Sequence, residues 1–395
     1  MLSKRNLFLR HIGQTSSKPL LIEIESASGI WLYGPSGEKY LDLVSGVSVS
    51  NAGHSNESVI RAVRSQLDKY MHLMVYGELV QAPQVDYAKK LSDTLGHHFE
   101  SVYFVNSGSE AVEGAIKTAR KYCSRSRVLS FRKAYHGSTL GALSLFGDND
   151  FKSNFMPLVP ETIQGTFNDP GSFKLIDDRV AAVIVEPIQA EAGIITPRAG
   201  FLAELKKRCE RAGALLIFDE IQTGFGRTGS MFAFQKYDLV PDIICLAKSL
   251  GGGMPLGAFV SSKKIISTLA DNPALGHITT FGGHPVSCAA GMAAMDFILG
   301  SKLHEKALEK GERFRKKLKH KNIIEIRGEG LFLAVKLSSA ELADKFVEQG
   351  GKNGLILDRF LFCNDSFRIS PPLVIENNEI DYAADTILLT LDQVS

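Results

Sequence analysis

Between about residues 100 and 260 the chain alternates short, wholly apolar runs with longer segments of helical periodicity. The runs at 102–105, 128–131, 181–185, 215–218, 243–246 and 257–261 have the length and the β-branched or aromatic content of buried strands. Helices are expected after the first, through Lys121, and over about 200–212. Strands alternating with helices predict a mostly parallel sheet with ligand chemistry at the strands' carboxyl ends. Upstream, 22–43 reads as two or three short strands with Gly-Pro-Ser-Gly at 34–37 as a hairpin turn. Residues 45–54 read as a loop and 57–70 and 85–95 as helices, with 72–84 irregular between them. After Pro285 come a close-packed helix rich in small residues and a charged one over about 302–319. The segment 323–337, a helix over 339–350 and the stretch from Phe367 then make an α+β unit, expected to pack with the N-terminal strands as a smaller domain. The division expected is 1–50 and 291–395 in the small domain and 51–290 in the large one.

Composition narrows the function. The length of 395 residues suits two domains, and 44% hydrophobic with 22% charged residues is ordinary for a globular protein. A net charge of +2 gives no reason to expect nucleic acid or an anionic membrane as partner. No apolar run approaches the ~20 residues that span a bilayer. Five scattered cysteines without a C-x-x-C spacing argue against a disulfide framework or a zinc site and fit a reducing cytosol. The first 22 residues carry four basic residues and no acidic one, as transit peptides do. The favoured reading there is a short amphipathic helix, with Leu7, Leu9 and Ile12, packed onto the fold.

Two of the apolar runs deliver a lone charge each. Asp219 follows 215–218, and Lys248 follows 243–246 just before Gly251-Gly252-Gly253. A lysine at a strand end is rarely buried without a purpose, and a desolvated amine can form a Schiff base with a carbonyl cofactor. A buried carboxylate needs a cationic partner, which a protonated pyridine nitrogen supplies in pyridoxal phosphate. Ser107-Gly108-Ser109-Glu110 is a capping box. Joined to the lysine and aspartate it reads as a phosphate cup at a helix N-terminus. Tyr135, after the run 128–131, could stack on a flat ring.

The segments GSEAVEGAIKTARKY, AYHGSTLGALS, VEPIQAEAG, LLIFDEIQTGFGRTG, AKSLGGGMPLGA and TTFGGHP together resemble the class III aminotransferases. The likeness runs from about Gly29 to Ile375. It implies pyridoxal-phosphate transferase fold type I, an α/β class. A large domain with a mostly parallel seven-stranded sheet is joined there to a smaller α+β domain. The same likeness implies a homodimer with active sites at the interface, acting on a small-molecule amine or amino acid and a 2-oxo acid. Lys248 would hold the cofactor and shuttle the proton, Asp219 would pair with the ring nitrogen, and Gln222 would reach the ring hydroxyl. Ile221 and Tyr135 would sandwich the ring. Ser107, Gly108 and Ser109 would cradle the phosphate, with Thr280 reaching it from the neighbouring subunit, while Glu220 would be structural.

For the substrate, Arg368 in FRISPPL matches the arginine that grips the distal carboxylate of glutamate or 2-oxoglutarate. Glu191 matches the glutamate that neutralises it when a donor lacks that carboxylate. Acetylornithine, ornithine and 4-aminobutyrate enzymes typically carry arginine after the His-Gly of this motif, where this chain has Ser138. Serine makes no ion pair, so an ω-amine or ω-amino acid donor is expected, with 2-oxoglutarate as acceptor. An acetylornithine or ornithine type is the alternative, as are racemase, aminomutase or decarboxylating transaminase activities on the same lysine and aspartate. No G-x-G-x-x-G follows the first strand, which counts against a Rossmann enzyme.

Overall fold

Seven strands between residues 101 and 261 form one sheet, in the order Ser101–Val105, Gly257–Ser261, Ile243–Leu246, Leu215–Asp219, Val180–Val185, Arg127–Phe131, Thr162–Gly165. The computed structural model describes residues 3–237 and 239–395 of the chain. Six strands run the same way, and Gly257–Ser261 lies antiparallel to both of its neighbours. The apolar runs are continuous because both faces of the sheet are covered. Leu216 and Phe218 enter the core on one face, and Leu215 and Ile217 enter the core on the other. Helix Gly108–Cys123 covers the second face with Ala111, Val112, Ala115, Ile116 and Ala119. Helices Phe201–Ala212 and Pro285–Gly300 cover the first. In the latter, small residues such as Ala290 and Ala294 let the helix lie close.

Two smaller sheets carry the rest. Ser26–Ser28, Trp31–Tyr33 and Lys39–Asp42 form an antiparallel meander, and Leu355–Ile356 adds to it in parallel. The N-terminal strands therefore meet the C-terminal unit through a strand of only two residues. The other sheet has the order Ile323–Glu329, Phe332–Leu337, Cys363–Ile369, Arg359–Phe360, all antiparallel. Helices Ala340–Lys352 and Asn377–Val394 pack here. Arg227, fully buried, ties these parts together by donating to the carbonyls of Leu331 and Pro371 and to the side-chain oxygens of Ser45 and Asn51.

Two expectations are corrected. The helix Lys4–His11 forms, yet none of its residues is buried, and Leu7, Leu9 and Ile12 are 42%, 46% and 57% exposed. Its apolar residues Leu7, Phe8 and Leu9 are consecutive, so they point around the helix and give no stripe to bury. Met1 and Leu2, part of that N-terminal reading, lie outside the described residues. The segment 45–54 opens with an ordered left-handed turn, in which Ser45, Gly46, Val47 and Ser48 all have φ between 51° and 65°. Such a conformation costs a β-branched residue like Val47 on the order of 1–2 kcal/mol. Asp42 holds the turn's start through the amides of Val44 and Ser45, and Ser45 donates its hydroxyl to the carbonyl of Ser370.

Candidate active site

A cavity of about 380 Å³ opens at the carboxyl edge of the large sheet. Its lining includes Ser107, Gly108, Ser109, Tyr135, Asp219, Ile221, Gln222 and Lys248. Eight positions chosen from sequence therefore converge on one space, each from a strand end or the turn or helix start just beyond it. The reversed strand begins at this same edge with Gly257, so the chain returns from Lys248 in a tight loop. Lys248 itself sits at φ +54°, a left-handed conformation that non-glycine residues adopt at a cost and that recurs at functional sites.

The charges here are arranged around Asp219. Its Oδ1 accepts the amide of Ile221 at 3.1 Å, and its Oδ2 meets His136 Nδ1 at 2.7 Å. A carboxylate can only accept, so Nδ1 carries the proton. His136 Nε2 is buried without a partner among the described residues. Glu186 lies close by, accepting the amides of Tyr135 and Ala190. Burial, and then the nearby charge of Asp219, pushes the Glu186 carboxyl well above the usual range. Both Glu186 and Asp219 line the cavity. Desolvation brings the Lys248 amine down to about 8, against the opposing pull of Glu191, Asp219 and Glu186. Glu220, the next residue after Asp219, is buried and accepts from Thr223 Oγ1 and from the amides of Ala233 and Phe234.

The cup at Ser107–Ser109 is shaped by absent side chains. Ser107 caps the helix through the amide of Glu110, while Glu110 reaches back to Asn106 instead of Ser107. A Cβ on Gly108 would stand 2.8 Å from Ile221 Cδ1, and one on Gly137, at φ +122°, would stand 2.1 Å from Ser109 Oγ. Ser109 Oγ in turn accepts the amide of Ser138 at 3.2 Å. Backbone amides at a helix start, a hydroxyl and a close glycine approach are what a phosphate group requires.

Arg368 and Glu191 lie beside this cavity and do not line it. Arg368 is 1% exposed, and each of its three guanidinium nitrogens has a side-chain partner. Nη2 meets Glu191 Oε1 at 2.7 Å, Nη1 donates to Gln222 Oε1 at 2.7 Å, and Nε meets Asp358 Oδ1 at 3.2 Å. Gln222 completes a triangle by donating to Glu191 at 3.1 Å, and so links the arginine cluster to the cavity. Desolvation works to raise the Glu191 carboxyl, but the charge and hydrogen bonds of Arg368 outweigh it and hold the group below its ordinary value. Ser138 is exposed, with its hydroxyl 3.2 Å from Tyr135 Oη. Thr280 is exposed on the loop before Pro285 and is not brought to this chain's cavity.

Comparison with known proteins decides what this edge belongs to. The sequence profile of the family Aminotransferase class-III matches residues 12–391. The chain belongs to the class III aminotransferases. An acetylornithine aminotransferase of Methanopyrus kandleri is 38% identical over 378 residues, covering 94% of each chain. The ornithine aminotransferase of Toxoplasma gondii superposes with a TM-score of 0.92 at 29% identity, over 100% of this chain and 96% of that one. An amine transaminase from an uncultivated Pseudomonas species, in its pyridoxal-phosphate-bound form, gives 0.89 at 26% identity, over 98% of each chain. This class III aminotransferase uses pyridoxal phosphate, and its residues fit that group. The cup, Tyr135 and Ile221, the Asp219 carboxylate and the desolvated amine all border one cavity. No single helix among the described residues is long and apolar enough to cross a membrane, and no group of three or more metal-ligating side chains is poised for an ion among them.

Sequence reasoning assigned no role to His136, Glu186 or Asp358. His136 sat in plain view in Tyr135-His136-Gly137, after a strand and beside the proposed ring contact. Glu186, the polar end of the run 181–185, carried the same signal as Asp219. Asp358 gave no local signal, because its partner lies ten residues away on a neighbouring strand.

Proposed function

We propose that this aminotransferase takes the amino group of a donor with a terminal primary amine and delivers it to 2-oxoglutarate. The observation that carries the reading is the buried Arg368–Glu191 pair joined to the cavity through Gln222. Arginine's fork suits a carboxylate, and Glu191 keeps it neutralised while a substrate without a distal carboxylate is bound. Pyridoxal phosphate, when bound, supplies a carbonyl for covalent capture of an amine and an electron sink for the carbon that loses its proton.

The chain's residues divide the remaining work. Lys248 Nζ, brought down to about 8, would hold the cofactor and move the proton at the donor's amine-bearing carbon. Asp219, oriented by His136 and the Ile221 amide, would pair with the ring nitrogen. Ser107, Gly108 and Ser109 would hold the phosphate, Tyr135 and Ile221 would flank the ring, and Gln222 would reach its hydroxyl. Two copies form a dimer with the site at the interface, Thr280 of the partner subunit completing the phosphate cup. That placement accords with the exposure of Thr280 outside its own chain's cavity. The enzyme works in the cytoplasm, in keeping with five free cysteines.

For the donor, Ser138 offers no cation to grip an α-carboxylate, which favours ω-amines and ω-amino acids. The second reading is N-acetylornithine. It is favoured by the acetylornithine aminotransferases that are 38% and 37% identical over nearly the whole chain. A panel of N-acetylornithine, 4-aminobutyrate, lysine, β-alanine and simple amines, each against 2-oxoglutarate and pyruvate, separates the two. Terminal amines should react with 2-oxoglutarate as the better acceptor. Dominance of N-acetylornithine selects the second reading, and a general preference for pyruvate overturns the role given to Arg368.

A further inference from the structure

The guanidinium of Arg368 faces two carboxylates, where a reversible switch needs one. Glu191 and Gln222 sit on Nη2 and Nη1, the end of the fork that an incoming carboxylate would engage with two parallel hydrogen bonds. Asp358 sits on Nε, at the stem, 3.2 Å away. A ligand arriving end-on displaces Glu191 and Gln222 and leaves Asp358 where it is. The backbone reinforces this, since the Arg368 amide donates to the Asp358 carbonyl at 3.1 Å and the adjoining Arg359 pairs with Phe367. The ring of Phe360 packs against the guanidinium, its centroid 4.8 Å from the central carbon, and fixes its plane.

We propose that Asp358 sets acceptor choice in this enzyme: as a permanent counter-ion on Arg368 it keeps the guanidinium neutralised when Glu191 moves aside, and so disfavours acceptors with a distal carboxylate. The inference rests on Arg368 being the acceptor's carboxylate grip. Burial pushes the Asp358 carboxyl up to about 6, against the pull of Arg368, so the group is ionised at neutral pH. With Glu191 in place the cluster holds one positive and two negative charges. With Glu191 displaced it is neutral before the acceptor's carboxylate arrives, whereas a lone arginine would present a full positive charge. Asp358 thus narrows the gap between a dicarboxylate and a monocarboxylate acceptor. It is a positioning and specificity residue, acting through Arg368 and not on the reacting atoms.

The test uses the cofactor-loaded enzyme with one amine donor and two acceptors, 2-oxoglutarate and pyruvate. Asp358→Asn keeps the size, the backbone carbonyl and an acceptor for Nε while removing the charge. It should raise the kcat/KM ratio of 2-oxoglutarate to pyruvate by about ten-fold, the effect of one unit charge screened as in a protein interior open to water. Asp358→Ser should shift the ratio the same way, and Asp358→Glu should return it towards the parent value. A ratio that stays put or falls in Asp358→Asn, with the bound-cofactor spectrum intact, overturns the inference. Arg368→Ala runs alongside and must lower kcat/KM for 2-oxoglutarate selectively. If it affects both acceptors equally, the grip lies elsewhere and both readings fall together. A selective Arg368→Ala with an unselective Asp358→Asn sinks the role of Asp358 alone.

Discussion

Lys248 places a protonatable amine at the edge of a buried sheet, and the cost should be measurable in the cofactor-free protein. Its amine is brought from the ordinary 10.5 to about 8, chiefly by desolvation. A group whose folded value lies below its unfolded value binds fewer protons folded than unfolded. Stability therefore rises with pH across the window between the two, here about 8 to 10.5, and the penalty is complete below it. At about 1.4 kcal/mol per pH unit, the difference amounts to about 3 kcal/mol. The amine borders the cavity instead of being packed on every side, so water there offsets part of the desolvation and makes this figure a ceiling. Lys248→Met keeps the length and removes the charge. In urea unfolding of the cofactor-free protein at about pH 7, the variant should be more stable than the parent by up to ~3 kcal/mol. The advantage should shrink to roughly 1.4 kcal/mol by about pH 9.5, as the parent's lysine loses its proton in the folded state while keeping it in the unfolded one. An advantage constant with pH would show that methionine merely packs better. A variant no more stable at pH 7 would refute a desolvated amine altogether, and with it the account of why Lys248 is reactive near neutrality.

Two further outcomes follow from the walls of the site. Gly137→Ala would drive a Cβ to 2.1 Å from Ser109 Oγ at a backbone φ of +122°. Displacing that hydroxyl should weaken pyridoxal-phosphate affinity by at least roughly ten-fold in a spectroscopic titration, and unchanged affinity would separate Ser109 from the phosphate. His136→Leu removes the donor that orients Asp219 and should lower kcat by about 10–100-fold in cofactor-saturated enzyme. His136→Gln, which retains an amide donor, should recover part of the loss. Equal rates for the two variants would mean that the histidine only fills space.

The large sheet and its lysine edge were legible because burial on both faces writes continuous apolar runs, each punctuated by the one charge that cannot be core. The reversal of Gly257–Ser261 was not legible, since a strand buried on both faces reads the same in either direction. Thr162–Gly165, at the sheet's edge, lacks the apolar run altogether. The N-terminal helix was read correctly as a helix and wrongly as packed, because three consecutive apolar residues mimic amphipathic content without giving a face. At the site, residues that border the cavity directly could be named from motifs. His136, itself on the cavity wall, stood in such a motif, but its pairing with Asp219, like that of Asp358 with Arg368, becomes visible only when the backbone brings the partners together.

The strand that carries Arg368 is paired on one side with only two residues, Arg359 and Phe360, across a hairpin whose register already slips between them. Residue 361 at its tip is exposed. An insertion or deletion in this hairpin would slide or flip Asp358 relative to the guanidinium while leaving every residue of the lysine edge in place. Loop length would thus act on acceptor preference through Asp358 and also through Glu191, which accepts the amides of Leu361 and Phe362 at the hairpin's tip. Relatives that share every catalytic motif could diverge in substrate by indels in this hairpin alone, a kind of divergence that inspection of the motifs would miss.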